Sequence, residues 1–268
     1  MINDNLKIAI EASIEAGKAI MTFYNEDVDV EIKNDNSPIT KADKRANEII
    51  NSYLLKTGIP IISEENKQID FSERKNWKTC WVVDPLDGTK EFIKKNGEFT
   101  VNIALIEDEK PILGVIYVPE KEILYFGSLQ SKTAYKLFCN SKKININTIL
   151  NSAELIQPNK INNTIRVVGS RSHMNQDTTD FIEKISEKHS DSEIIIVSKG
   201  SSLKFCLVAE GKADVYPRYA PTMEWDTAAG HAICNAVGLK VISIKTNQEL
   251  KYNKENLLNS YFLISNEG

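Results

Sequence analysis

The densest concentration of reactive side chains lies in Trp81-Val82-Val83-Asp84-Pro85-Leu86-Asp87-Gly88-Thr89. An apolar run delivers two carboxylates three residues apart, and Pro85 and Gly88 bend the chain around them. Such a turn makes Asp84 and Asp87 converge and lets the Leu86 carbonyl point the same way. Carboxylates and a backbone carbonyl are hard oxygen donors that suit Mg²⁺, not zinc or copper. A bare DxxDG is more often a turn whose aspartate caps the next segment, but two other acids stand in similar settings. Ile61-Ile62-Ser63-Glu64-Glu65 is a short apolar run ending in acid, and Glu224-Trp225-Asp226 stands at a helix start, where Asp226 can cap and ligate at once. Glu64, Asp84, Asp87 and Asp226 together carry −4. Clustered without cations they would repel one another and protonate. Two Mg²⁺ ions would neutralise them and leave a site ready for a phosphate dianion, with the Gly88 and Thr89 N–H groups as a cradle.

Covalent alternatives find no support. The chain has no Cys-x5-Arg loop, no GxSxG elbow and no P-loop, and His173, His189 and His231 form no HExxH. Cys80, Cys139, Cys206 and Cys234 stand far apart with no CxxC pair, so four buried thiols in a reducing compartment are expected. Basic and polar groups recur near the acids. Lys90 follows the turn, Ser201, Ser202 and Lys204 open a segment after Gly200, Arg218 follows Tyr216-Pro217, and Ser170, Arg171 and His173 follow an apolar run. Each of these cations could equally be a solvated surface charge.

These groups need elements to hold them. Leu6 to Tyr24 has helical periodicity, with Ile10, Ile14, Gly17, Ile20 and Met21 near one face. Asp43 to Leu55 predicts a second helix, stopped by Gly58. A strand is expected at Cys80 to Val83, ending at Asp84-Pro85 because proline cannot donate to a ladder. Phe99 to Ile106, Ile112 to Val118 and Glu122 to Phe126 predict an antiparallel meander. Asn140 to Asn163 is polar and marks a linker or excursion. Beyond it strands at Ile165–Val168 and Ile194–Val197 alternate with helices at Phe181–Glu187, Ser201–Ala209 and Thr227–Ala236.

The composition bounds the reading. The chain has 268 residues with 33 basic against 37 acidic side chains, a net charge of −4. That excludes a nucleic-acid protein working through a broad basic face, though not a local basic pocket. No apolar stretch approaches a membrane span, and the N-terminal segment lacks the features of a signal peptide.

WVVDPLDGT, ISEE upstream and EWDTAAGHA downstream resemble the inositol monophosphatase superfamily of Mg²⁺-dependent, lithium-sensitive phosphatases, over nearly the whole chain. Within it, DPLDGTKEFIKKNGEFTVNIALI, GSSLKFCLVAEGKADVYPR and TMEWDTAAGHAIC resemble CysQ-type 3′(2′),5′-bisphosphate nucleotidases, whereas inositol-phosphate enzymes more commonly carry a second Thr and Asn where Lys90-Glu91-Phe92 stands. The resemblance implies a layered α-β-α-β-α sandwich of mixed α/β class. Its two packed halves would be 1–140, with most metal ligands, and 141–268, with Asp226 and the specificity residues. It implies two Mg²⁺ ions, and a third during turnover is compatible with it. Glu64, Asp84 and the Leu86 carbonyl would hold one ion, and Asp84, Asp87 and Asp226 the other. Thr89 with Glu64 would orient or deprotonate the attacking water, and Asp43 would support Thr89, although it also reads as an ordinary helix-start acid. Substrate would touch Glu64, Leu86, Asp87, Gly88, Thr89 and Asp226. A second phosphate and a base need more: Lys90, Ser201, Ser202, Lys204 and Arg218 for charge, His173 against adenine.

The implied activity is hydrolysis of adenosine 3′,5′-bisphosphate to AMP and phosphate, removing a by-product of sulfate assimilation. The implied setting is the cytoplasm, with no transmembrane segment and room for peripheral contact at the inner membrane face. The rivals are an inositol or sugar monophosphate phosphatase and a non-catalytic nucleotide sensor.

Overall fold

The computed structural model describes residues 3–26, 30–32, 38–139, 149, 151–159, 163–170 and 175–266. Helix α1, Asp4–Tyr24, starts where Asn3 Oδ1 accepts the Leu6 N–H at 2.9 Å, and it buries Leu6, Ile10, Ile14 and Ile20 at helical spacing. A short ribbon of β1, Val30–Ile32, and β2, Pro38–Thr40, leads into α2, Lys41–Leu54. That helix begins at Lys41, before the expected Asp43, because Thr40 caps it and Asp43 closes a capping box from its third position. A 3-10 turn at Leu55–Thr57 follows, and Gly58 ends it at φ 69°.

The first sheet collects β3, Ile61–Ser63, β4, Thr79–Asp87, β5, Thr100–Glu107, β6, Lys110–Val118, β7, Ile123–Ser128, β8, Thr133–Phe138, and β9, Glu154–Ile156, in that spatial order. Helices α3, Phe71–Arg74, and α4, Thr89–Ile93, flank β4. β3 runs parallel to β4 and every later pair is antiparallel, so the meander forms as expected and gains two strands. One of these, β9, comes from the polar stretch expected as a linker; 140–148, 150 and 160–162 of that stretch lie outside the described residues.

β4 departs from expectation. It does not stop at Asp84-Pro85. Asp84 pairs with Asn102 and Asp87 with Thr100, so two residues of β4 stand opposite one of β5. Pro85 falls inside this bulge, where a missing N–H costs no ladder bond. The bulge keeps the strand attached while swinging both aspartates to its end.

The second sheet has β10, Thr164–Ser170, β11, Glu193–Lys199, β12, Val215–Arg218, β13, Ile242–Ser243, and β14, Phe262–Ser265, in the order β11-β10-β12-β14-β13. β10 is parallel to both its neighbours, while β14 runs antiparallel to β12 and β13, which strand–helix alternation did not foretell. Its helices are α5, Gln176–Lys188, α6, Leu203–Ala209, and α7, Glu224–Ala236. α6 is shorter than the expected Ser201–Ala209 because Ser201 takes φ 52°, outside the helical region.

The apolar clusters reveal the layers. One joins α1 and α2 to the Trp81, Val83, Val101 and Ile103 face of the first sheet. A second joins the opposite face, Val82, Ala104 and Ile116, through α6 and α7 to Val168, Tyr216 and Phe262 of the second sheet. A third sets Ile165, Val167 and Val215 against Ile185 and Phe181 of α5. The result is the expected α-β-α-β-α sandwich, with α7 clamped between the sheets. No helix among the described residues is long and apolar enough to cross a membrane. All four cysteines are buried free thiols.

Candidate active site

The bulged end of β4, the end of β3 and the first turn of α7 meet at one point. Carboxylate oxygens of Asp84, Asp87 and Asp226 all lie within 4.8 Å of one another. Asp84 Oδ1 accepts the Leu86 N–H at 3.0 Å, a local turn that folds the bulge back on itself. Asp226 is not the N-cap of α7, a place Met223 takes; it stands at the third helical position and accepts the Met223 N–H at 2.8 Å, which closes a capping box while it faces the cluster. Glu64 arrives because β3 and β4 are parallel and Ser63 pairs with Val83, and its N–H donates to the Val83 carbonyl at 3.1 Å. Glu64, Asp84, Leu86, Asp87, Gly88, Thr89 and Asp226 line a common cavity of about 380 Å³.

The cluster is electrostatically incomplete. Burial, then Glu64, Asp87 and Asp226, raise the Asp84 carboxyl far above the usual carboxylate range. Asp226 is pushed up to about 8, first by burial and then by Asp87. Carboxylates that resist ionisation beside one another become stable anions only around a cation. The hard oxygen donors fit Mg²⁺, and the set leaves a cavity in front of it open to a ligand.

Thr89 stands beside this cluster at the start of α4, where Gly88 takes φ 92° to turn the chain from strand to helix. Thr89 Oγ1 lies 3.2 Å from Asp43 Oδ1 and 3.3 Å from the Leu86 carbonyl. Asp43 Oδ2 accepts from the Thr40 N–H at 2.8 Å and the Thr40 hydroxyl at 2.5 Å. The two Asp43 oxygens therefore divide: Oδ2 closes the capping box of α2, and Oδ1 accepts from the Thr89 hydroxyl. Burial raises its carboxyl, and the bonds from Thr40 and Thr89 oppose that.

The cationic residues divide. Lys90, Ser201, Lys204 and Arg218 line the same cavity, with Tyr216 and Thr222. Lys204 is buried; its ammonium donates to the Ser201 carbonyl, lies 3.4 Å from the Lys199 carbonyl and 5.7 Å from the centre of the Tyr216 ring. Burial lowers its pKa to about 8. Arg218 Nη2 donates to the Pro221 carbonyl at 3.1 Å, while its buried Nε has no partner among the described residues. Ser202 does not line the cavity. Its N–H donates to Asp87 Oδ2 at 2.6 Å and its hydroxyl to Asn102 Oδ1 at 2.8 Å. His173 lies outside the described residues. Glu224, neighbour to Asp226 but one, turns away from the cavity to accept from the Asn253 N–H at 2.6 Å and pair with Lys254 at 2.5 Å.

Sequence reasoning missed the polar pair behind Asp87. Thr100 Oγ1 lies 3.4 Å, and Asn102 Nδ2 3.3 Å, from Asp87 Oδ2. The signal was their spacing: two polar side chains at i and i+2 share one face of an otherwise apolar strand.

Comparison with known proteins identifies the family. The model of the inositol monophosphatase family matches residues 2–267. The 3′(2′),5′-bisphosphate nucleotidase CysQ of Buchnera aphidicola subsp. Acyrthosiphon pisum is 47% identical over 84% of this chain and 79% of its own. The CysQ of Escherichia coli K12 is 43% identical over 93% of this chain and 95% of its own. The crystal structure of CysQ from Bacteroides thetaiotaomicron, described as a bacterial member of the inositol monophosphatase family, superposes with a TM-score of 0.86 at 46% identity, covering 97% of this chain and 96% of that one. With the family model spanning nearly every residue and the layered fold matching, this chain belongs to the inositol monophosphatase family.

Proposed function

We propose that the chain is a Mg²⁺-dependent 3′(2′),5′-bisphosphate nucleotidase that hydrolyses adenosine 3′,5′-bisphosphate to 5′-AMP and phosphate. The observation that carries this reading is one cavity lined both by the Glu64, Asp84, Asp87 and Asp226 carboxylates and by the cations Lys204 and Arg218. A phosphomonoester with a single charged group needs only the acids and the metal they hold. A bisphosphate also uses the cations. The CysQ proteins similar to this chain carry that activity in their names.

In this reading Glu64, Asp84 and the Leu86 carbonyl would hold one Mg²⁺, and Asp84, Asp87 and Asp226 a second. When bound, the ions supply positive charge to the phosphate and to its leaving oxygen. The rest falls to the chain's own groups. Asp43 accepts the Thr89 hydroxyl proton, which leaves the Thr89 oxygen lone pairs free to accept from the attacking water. Glu64 takes the proton that water gives up. Lys204 and Arg218 receive the 5′-phosphate, which directs the 3′-phosphate to the acids. Removal of the adenosine bisphosphate left by sulfonyl transfer, in the cytoplasm, is the role that follows.

The test is phosphate release from a panel of adenosine 3′,5′-bisphosphate, inositol 1-phosphate and a sugar monophosphate, with Mg²⁺ and with chelator. Faster release from the bisphosphate, abolished by chelator, is expected. Faster release from inositol phosphate makes the chain a monophosphatase, and bisphosphate binding without release makes it a sensor.

A further inference from the structure

Glu98 does not line the acid-rich cavity, yet its side chain holds the loop that does. It is 5% exposed and lies two positions before β5 begins at Thr100. Its Oε2 accepts the Gly200 N–H at 2.8 Å, and its Oε1 pairs with Lys199 Nζ at 3.0 Å. The backbones are pressed as tightly: a Cβ on Gly200 would lie 3.1 Å from both the carbonyl oxygen and the Cβ of Glu98. On its other side, the same carbonyl oxygen lies 3.2 Å from where a Cβ on Gly88 would be. Glu98 thus packs against both the Gly88 turn and the 199–202 loop, which also meet directly at Ser201.

Two working groups hang on that loop. The Ser202 N–H holds Asp87 Oδ2 at 2.6 Å, and the Lys204 ammonium rests on the carbonyls of Ser201 and Lys199. Just before Ser202, Ser201 keeps φ 52°, a conformation a side-chain-bearing residue retains only when its surroundings impose it. Thr100 holds the Ser201 hydroxyl at 2.6 Å, and Glu98 holds the two residues that precede it. Its two oxygens meet the Lys199 ammonium and the Gly200 N–H at once. A glutamine offers one acceptor and turns an NH₂ toward the other donor.

We infer that Glu98 is a positioning residue that ties the carboxylate Asp87 to the cation Lys204, so that the two cavity groups shift together. The tie to Asp87 rests on the acid cluster alone; the tie to Lys204 is read out through the nucleotidase reading above. Two measurements test it. Mg²⁺ is titrated calorimetrically into metal-stripped wild type, Glu98→Gln and Lys199→Met, with no substrate present. Outer partners of metal-binding carboxylates typically contribute about 10–100-fold in affinity, so Glu98→Gln weakens Mg²⁺ by about tenfold or more, and Lys199→Met weakens it less because the Gly200 bond survives. Separately, kcat/KM is measured for adenosine 3′,5′-bisphosphate and for p-nitrophenyl phosphate. Glu98→Gln lowers the ratio of the two, and its effect is not additive with that of Lys204→Ala. A Glu98→Gln protein that melts earlier but keeps wild-type Mg²⁺ affinity and wild-type selectivity has lost only packing, and overturns the inference. Should Glu98→Gln not fold, unchanged Mg²⁺ affinity and selectivity in Lys199→Met overturns it equally. A wild-type preference for p-nitrophenyl phosphate overturns the nucleotidase reading, whereas weakened Mg²⁺ binding in Glu98→Gln still upholds its tie to Asp87.

Discussion

Thr89 Oγ1 stands 3.2 Å from Asp43 Oδ1, and that contact makes a helix cap part of the candidate catalytic apparatus. The other Asp43 oxygen is occupied by Thr40 through both its N–H and its hydroxyl. One carboxylate therefore serves stability through one oxygen and chemistry through the other.

The two duties separate by substitution. Thr40→Ala removes a cap hydroxyl and costs about 1 kcal/mol of stability, while the Thr89 contact survives and kcat stays within a few-fold. Thr89→Val leaves the cap intact and the melting temperature nearly unchanged, but lowers kcat steeply. Asp43→Asn injures both, since a single amide oxygen cannot serve donors on two sides; about 1–3 kcal/mol of stability is lost with one donor stranded. Thermal melts and phosphate-release kinetics on the three variants check this, and a Thr40→Ala protein as inactive as Thr89→Val would refute the division.

The raised carboxyls of Asp84 and Asp226 make the metal-free protein pH-sensitive. Asp226 is pushed up to about 8, whereas an unfolded aspartate titrates near 4. Between these values the folded state binds the extra proton, so stability is greatest at the low end and falls as pH rises toward 8. Melting temperatures in chelator should therefore decline from pH 5 to pH 8. Asp226→Asn flattens the slope and raises the melting temperature at pH 8, while abolishing turnover. Mg²⁺ takes the proton's place, so its stabilising shift grows with pH. A metal-induced shift that is equal at pH 5 and pH 8 would count against the crowded-carboxylate account.

How much of this was legible depended on the distance in sequence between partners. Asp84, Leu86, Asp87 and Gly88 form a local turn, and their apolar prelude and spacing announced it. Asp226 was legible because a helix start carries its own signature. Pro85 misled: a proline beside a strand usually ends it, and only the pairing of Asp87 with Thr100 reveals that the ladder resumes beyond a bulge. The backbone support that Ser202 gives Asp87 was not legible, since it crosses 115 positions. No local pattern tells a serine that will donate its backbone N–H to a distant carboxylate from one that will face a ligand. Lys204 shows the same limit from the other side, being a cation that the sequence permits on the surface and the fold buries.

Li⁺ should inhibit turnover. The family resemblance implies a weakly held metal position, and here Asp84, Asp87 and Asp226 crowd their oxygens within 4.8 Å, a set that a small monovalent ion could occupy in place of a divalent one. Rates measured against LiCl, with NaCl as the ionic-strength control, check this. Equal response to both salts would argue against a labile second position while leaving the acid cluster itself intact.

Lys204 should decide both which substrate is chosen and which phosphate leaves. Its ammonium is buried on the loop carbonyls with its pKa lowered to about 8, so its charge costs little to remove and its position is set before substrate arrives. A charge-assisted contact is worth about 1.5–3 kcal/mol, so Lys204→Ala should lower kcat/KM for adenosine 3′,5′-bisphosphate by about ten- to more than a hundredfold. Hydrolysis of a small monophosphate, which does not reach Lys204, should change little. The sign of the pH effect follows from the same burial. Above pH 8 the free lysine becomes neutral, so KM for the bisphosphate should rise there in wild type and stay flat in Lys204→Ala. With Lys204 proposed as the group that captures the 5′-phosphate, only the 3′-phosphate meets the acids, and the product should be 5′-AMP. Chromatography of the reaction mixture distinguishes the isomers. Accumulation of 3′-AMP would mean that the cations of the cavity do not orient the nucleotide, whatever their effect on affinity.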